Sequence, residues 1–171
     1  DHDVIEFGPG ISPADIRFIA QGNDLIIRIA GTTDSIWIGG FLFDYDPAST
    51  SYKYGIDEIR FADGTVWDWA AIRAQPLMGT EGNDYIQGSN GDDLIESLGG
   101  NDEVYGLLGD DVIHAGAGND YIYGGAGSDT LYGDDGDDYI SSREGNNALY
   151  GGAGSDTLIA DAGDDILDGG A

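Results

Sequence analysis

The sequence predicts an all-β chain, a parallel β-roll preceded by a small, mainly antiparallel β capping unit with one short helix. Three observations carry that prediction. From residue 79 onward a glycine, an Asp and an aliphatic residue recur every nine positions; before it, apolar and polar residues alternate; and the charge is split unevenly between the two parts. The junction is placed after Pro76, which gives units of 1–78 and 79–171.

Read in steps of nine from Gly79, the second part is GTEGNDYIQ, GSNGDDLIE, SLGGNDEVY, GLLGDDVIH, AGAGNDYIY, GGAGSDTLY, GDDGDDYIS, SREGNNALY, GGAGSDTLI and ADAGDDILD, and Gly169-Gly170-Ala171 opens an eleventh unit. Position four is always glycine: Gly82, Gly91, Gly100, Gly109, Gly118, Gly127, Gly136, Gly145, Gly154 and Gly163. Position six is Asp in every unit except the eighth, which has Asn147. Position eight is always aliphatic, from Ile86 and Ile95 to Leu158 and Leu167. A period of this kind is the mark of a solenoid. Six residues rich in glycine and Asp predict a turn, and three predict a short strand whose middle residue points inward. Such strands do not stand alone. Units must therefore stack, two per coil, with odd units building one sheet and edge and even units the other.

Composition narrows the function. The 171 residues include 33 acidic and 6 basic side chains, a net charge of -27. Residues 1–78 hold 12 acids and 5 bases; residues 79–171 hold 21 acids and one base, Arg143. So acidic a chain is a poor partner for nucleic-acid phosphates or anionic lipid, which need clustered Lys and Arg. The absence of cysteine excludes disulfides, zinc thiolates and cysteine nucleophiles. No apolar run approaches the ~18 residues of a membrane span. The chain starts at Asp1 without Met or a leader pattern and is expected to be a piece of a larger protein.

Stacking aligns Asp84, Asp102, Asp120, Asp138 and Asp156 in one column, and Asp93, Asp111, Asp129, Asn147 and Asp165 in the other. Carboxylates ~4.8 Å apart repel by ~3.5 kcal/mol at an effective dielectric of ~20. A hard divalent cation between successive turns removes that repulsion. Calcium takes 6–8 oxygens and accepts the backbone carbonyls that glycine-rich turns expose, whereas magnesium demands tighter octahedral geometry. Transition metals prefer His or Cys, and only His2 and His114 are present. Calcium is the expected ligand. Four gaps on each edge predict about eight ions, bringing -27 to about -11.

The unit resembles the G-G-x-G-x-D-x-U-x nonapeptide of RTX (repeats-in-toxin, haemolysin-type) proteins, from Gly79 to Ala171. The resemblance implies a right-handed calcium β-roll in a protein exported from Gram-negative bacteria by type I secretion through a C-terminal signal. Departures occur at position one, with Ser97, Ala115, Ser142 and Ala160, and at Asn147, whose two flanking gaps are expected to be the weaker ones.

In the first part, Asp3 to Phe7, Ile16 to Ala20, Asp24 to Ala30, Asp34 to Phe43 and Ile56 to Val66 read as strands of an antiparallel meander, with Gly22-Asn23 and Asp63-Gly64 as turns. Asp68 is predicted to N-cap a short helix from Trp69 to Ala74, stopped by Pro76. The segments DVIEF, GNDLII and IRFADGTVW are similar to the haemolysin-type calcium-binding-related domain. The expected role of this unit is to cap the open apolar end of the roll.

Other features have plainer readings. The outward tyrosines, Tyr85, Tyr121 and Tyr139 in one column and Tyr105 and Tyr123 in another, with Tyr132 and Tyr150 on the even sheet, read as cross-strand ladders; a surface or glycan ligand is the alternative. His114 is expected to face solvent, Asp44 and Asp46 to sit in a polar loop, and Trp37, Trp67 and Trp69 to pack in the core or cap. No GxSxG, P-loop or HExxH motif occurs, and the repeated carboxylates are committed to calcium, so no enzyme is expected. Position three lacks the regular Thr row of an ice-binding roll. The expectation is a secreted module that folds on extracellular calcium within a larger toxin, protease, lipase or adhesin. A recognition or spacer module of an adhesin, using the tyrosine face, is the alternative.

Overall fold

A computed structural model describes residues 2–21, 24–39 and 56–171. The first part contains β1 (Val4–Phe7), β2 (Ile16–Gln21), β3 (Asp24–Ile29), β4 (Ser35–Ile38), β5 (Glu58–Phe61), β6 (Val66–Asp68), α1 (Trp69–Arg73) and β7 (Leu77–Met78). The proposed Gly22-Asn23 turn, the end of the Asp34 to Phe43 strand, and Asp44 and Asp46 lie outside the described residues. Asp68 caps α1 as expected, its Oδ1 accepting the Ala71 N–H at 2.9 Å.

The meander is only partly antiparallel. β2, β3 and β4 pair antiparallel in sequence order, and β5 and β6 form a hairpin. β1, however, pairs with β5 in parallel, Val4 opposite Glu58 and Phe7 opposite Phe61. Trp67 packs on Phe61 and Phe18, with ring centroids 5.0 and 6.0 Å apart. Trp69 packs against the core, whereas Trp37 lies outside it, 58% exposed, with its indole N–H on Asp24.

The repeat half holds β8 (Tyr85–Gln87), β9 (Leu94–Glu96), β10 (Glu103–Leu108), β11 (Val112–Ala117), β12 (Tyr121–Ala126), β13 (Thr130–Asp135), β14 (Tyr139–Glu144), β15 (Ala148–Ala153), β16 (Thr157–Ala162) and β17 (Ile166–Asp168). Odd units stack as the sheet β16-β14-β12-β10-β8, and even units as β17-β15-β13-β11-β9. Partners are eighteen residues apart and parallel, Val104 on Ile122 and Ile113 on Leu131. The even sheet continues through β7, β2, β3 and β4, because Leu77 pairs with both Ile95 and Phe18. A single buried apolar cluster therefore runs from Phe7 in the first part to Leu149 in the roll. At the other end Ile166 and Leu167 are exposed.

Most strands of the roll are six residues long, not three. Each runs on through positions one to three of the next unit, because parallel neighbours above and below take up the backbone hydrogen bonds whatever the side chain. Two residues per strand consequently point inward. Position eight is fully buried from Ile86 to Leu149, each contributing roughly 2 kcal/mol, and position one, with Ser97, Ala115 and Ser142, is buried as well.

Candidate metal centre

The turns are reduced to positions four to six. From Gly100 onward the position-four glycines take positive φ, +123° at Gly100 and +138° at Gly118, and a Cβ on Gly118 would collide with the Gly100 carbonyl one coil below. Close stacking and backbone conformation thus both demand glycine here. Position two is also left-handed in several units: Gly116, Gly125 and Gly152 adopt it freely, and Leu98, Leu107 and Asp134 adopt it at φ of 76°, 86° and 70°.

The position-six residues form the two predicted columns, and each links to its neighbour by a specific bond. The Oδ1 of Asp102 accepts the backbone N–H of Asp84 at 2.8 Å, and Asp120, Asp138 and Asp156 repeat this up the odd edge. On the even edge Asp111, Asp129, Asn147 and Asp165 do the same. One carboxylate oxygen of each Asp is thereby engaged. The second, Oδ2, is buried without any hydrogen-bond partner at Asp102, Asp111, Asp120, Asp138 and Asp156. Leaving an ionised oxygen dry and unpaired is strongly unfavourable. At Gly106, Gly133 and Gly151 a Cβ would fall on the Oδ2 of Asp111, Asp138 and Asp156, so position-one glycine leaves the space this oxygen occupies.

Electrostatics agree. Burial pushes the Asp111 carboxyl up to about 8, and those of Asp120 and Asp138 up to about 6, with neighbouring carboxylates adding to the effect. Asp102 and Asp93 are raised too, chiefly by burial. Backbone N–H donation opposes the shift at Asp102, Asp111, Asp120 and Asp138 but does not overcome it. A divalent cation beside these oxygens would reverse that balance.

The remaining donors are main-chain. Among the described residues no three His, Cys, Asp or Glu side chains converge on one point. Among the described residues no backbone N–H donates to the carbonyls of Gly100, Gly109, Gly118, Gly127 and Gly136. An all-oxygen set of Asp carboxylates and free glycine carbonyls suits calcium. Residues and ion therefore fit.

The first Asp of each column has its Oδ2 satisfied by protein. Asp84 accepts from the backbone N–H and hydroxyl of Thr80 at 2.6 and 2.9 Å, and Asp93 likewise from Ser89 at 2.6 and 2.8 Å. Asp93 also meets the guanidinium of Arg73 at 3.2 Å, and that guanidinium bonds the Ser89 hydroxyl. Asp129 is satisfied as well, by the Ser142 hydroxyl at 2.7 Å.

A further ladder went unread in the sequence. Position five is Asn, Asp or Ser in all ten units, and its side-chain oxygen accepts the position-five N–H of the next coil, as in Asn101 N–H to Asn83, Asn119 N–H to Asn101 and Asp110 N–H to Asp92, each 2.9 Å. It runs opposite to the position-six ladder. The restriction to three side chains was the available signal. His114 is stacked on Tyr132 at 4.3 Å and 3°, with Asp134 at 3.4 Å, so it is half-buried and not simply solvent-facing.

Comparison with known proteins agrees with this geometry. Residues 24–71 match the haemolysin-type calcium binding protein related domain, a narrower span than the sequence segments suggested. A stretch of 82 residues is 38% identical to the iron-regulated protein FrpA of Neisseria meningitidis serogroup C. That stretch spans 48% of this chain and 7% of the meningococcal protein. The RTX calcium-binding nonapeptide repeat matches over residues 78–113, 105–140 and 141–171, the whole of the roll. With its ten stacked units and their two Asp columns, the chain belongs to the RTX calcium-binding nonapeptide-repeat family.

Proposed function

We propose that this chain is a calcium-dependent folding module of a larger protein exported from a Gram-negative bacterium by type I secretion. The observation that carries the reading is the set of buried, unpartnered Oδ2 atoms in the two columns. Without a cation the stacked turns bury like charges side by side, and the roll opposes its own formation. In a cytosol with scarce calcium the repeats stay open and can be threaded through an exporter. Outside, calcium binds only the folded turns and stabilises them by mass action at each site. The eight gaps between coils set the upper limit on the number of ions. The first part supplies a template, because β7 and β2 present a ready edge to β9. No catalytic step is assigned to the chain; the nine Asp of the columns are committed to the turns, and its histidines lie apart.

Calcium titrated into chelator-stripped protein, followed by far-UV circular dichroism with magnesium as control, tests this. A cooperative gain of β signal with calcium alone is the expected result. A chelated roll that is already folded and indifferent to calcium overturns the reading.

The adhesin alternative draws on one observation, the exposure of Tyr85 and Tyr121 at 48% and 56% on the odd sheet. Loss of surface or glycan binding in Tyr121→Ala with Tyr139→Ala, calcium folding being intact, favours it.

A further inference from the structure

The two edges of the roll are not chemically equal. On the odd edge each of the four gaps presents one buried Oδ2 without a partner, from Asp102, Asp120, Asp138 and Asp156. On the even edge only Asp111 does so. Asp165 lies at the open end of the roll and is only partly buried; the other two even-edge differences, at Asp129 and Asn147, trace to a single unit, residues 142–150, which departs from the repeat at two positions together: Ser142 at position one and Asn147 at position six.

Both departures replace an acceptor or a space with a hydrogen-bond donor. The Ser142 hydroxyl donates to Asp129 Oδ2, the atom that is orphaned in the neighbouring coils. Asn147 is 1% exposed and its amide is oriented unambiguously, since its Oδ1 accepts the Asp129 N–H at 3.0 Å. The Nδ2 group must then face the other way. It reaches Asp165 Oδ1 at 3.2 Å and the Gly145 carbonyl at 3.3 Å. A carboxylate oxygen and a position-four carbonyl are the two donor types that the other gaps offer to an ion. An amide N–H directed at them supplies the positive end of a dipole where an ion would sit, and repels a cation from the same place.

We propose that unit 142–150 is a metal-free rung, in which Ser142 and Asn147 close the even edge by hydrogen bonds and leave five calcium sites, four odd and one even. This rests on the calcium reading above. Ser142 and Asn147 carry no charge, and their bonds hold the third, fourth and fifth coils of the folded roll in register on one edge without an ion. The odd edge has no such device.

The test counts ions. Chelator-stripped full chain is dialysed to equilibrium against saturating calcium, and bound metal per chain is measured for the wild type, Asn147→Asp, and Ser142→Gly with Asn147→Asp. The expected result is about five ions in the wild type and one to two more in the variants, which restore the acceptors. Eight ions in the wild type overturns the proposal whatever the variants do, and so does a variant count equal to that of the wild type. Should the double variant fail to fold, the wild-type count and the single variant decide. A wild type that binds no calcium removes the parent reading as well, and the circular dichroism titration identifies that case.

Discussion

Arg73 Nη2 lies 3.2 Å from Asp93 Oδ1, joining the last turn of the capping helix to the first Asp of the even column. The pair is mostly buried, with side chains 20% and 5% exposed, and Ser89 completes it. A fixed guanidinium thus stands at the end of a column whose next member, Asp111, awaits a mobile cation. The helix also brings Ile72 into the apolar seam between the two parts, so the charge contact and the packing act together.

Removing one partner of a buried ion pair leaves the other charge uncompensated. Arg73→Ala is therefore expected to destabilise the folded protein at limiting calcium by roughly 3 kcal/mol. In saturating calcium the loss is expected to be smaller, because an ion at the first even gap takes over part of the neutralisation. Urea midpoints at limiting and at saturating calcium check this. Equal losses in the two conditions would show that Arg73 acts only by packing.

The columns and their register were legible because stacking forces every eighteenth residue together, so Gly, Asp and aliphatic residues had to repeat. Strand length was not legible. Residues such as Gly106, Ala115 and Ala117 have no strand preference of their own, and extend only because the neighbouring coils complete their ladder. The parallel pairing of Val4 with Glu58 was hidden for a related reason, since contacts across so long a segment leave no local trace. Ser142 and Asn147 were visible as departures from the repeat. That both act on adjacent atoms of one edge appears only once Asp129 and Asp165 are placed around them.

Proton binding should substitute for calcium. In the folded metal-free chain burial pushes Asp120 and Asp138 up to about 6 and Asp111 up to about 8, all above the ordinary value of 3.8. Between 3.8 and those values the folded state binds more protons than the unfolded one. The stability these groups contribute is accordingly full below the unfolded value and is lost as pH rises through the folded values. Chelated protein should therefore hold more folded roll near pH 5 than near pH 8, by far-UV circular dichroism. Calcium binding at pH 7 should release protons, seen by calorimetry in buffers of different ionisation enthalpy. A chelated roll that gains stability with rising pH would contradict the raised carboxyls.

Strain at position two gives a stabilising substitution. Leu98 holds φ of 76° and is 38% exposed, while the next coil places Gly116 at the same turn position. The left-handed conformation costs an L-residue roughly 1–2 kcal/mol. Leu98→Gly relieves it, offset in part by the entropy of a freer unfolded chain. The net expectation is about 1 kcal/mol of added stability, read from the urea midpoint in saturating calcium. A loss in place of a gain would mean that the Leu98 side chain packs more favourably than its exposure indicates.

The tyrosine ladder separates support from recognition. Tyr123 stacks on Tyr105 at 4.9 Å and 9°, and meets Tyr139 at 5.9 Å, so its ring is held on both sides. Tyr121 has Tyr139 alone as a ring neighbour among the described residues and is 56% exposed. Aromatic pairs contribute about 0.5–1.5 kcal/mol beyond area burial. Tyr123→Ala should then cost roughly 2 kcal/mol with calcium bound, and Tyr121→Ala less than about 1. The order follows from geometry, since a ring stacked between neighbours has its faces covered and leaves only an edge for any ligand. If thermal melts of the two variants coincide, the rings do not act as a ladder. The exposed column would then have to be explained by what it touches outside the chain.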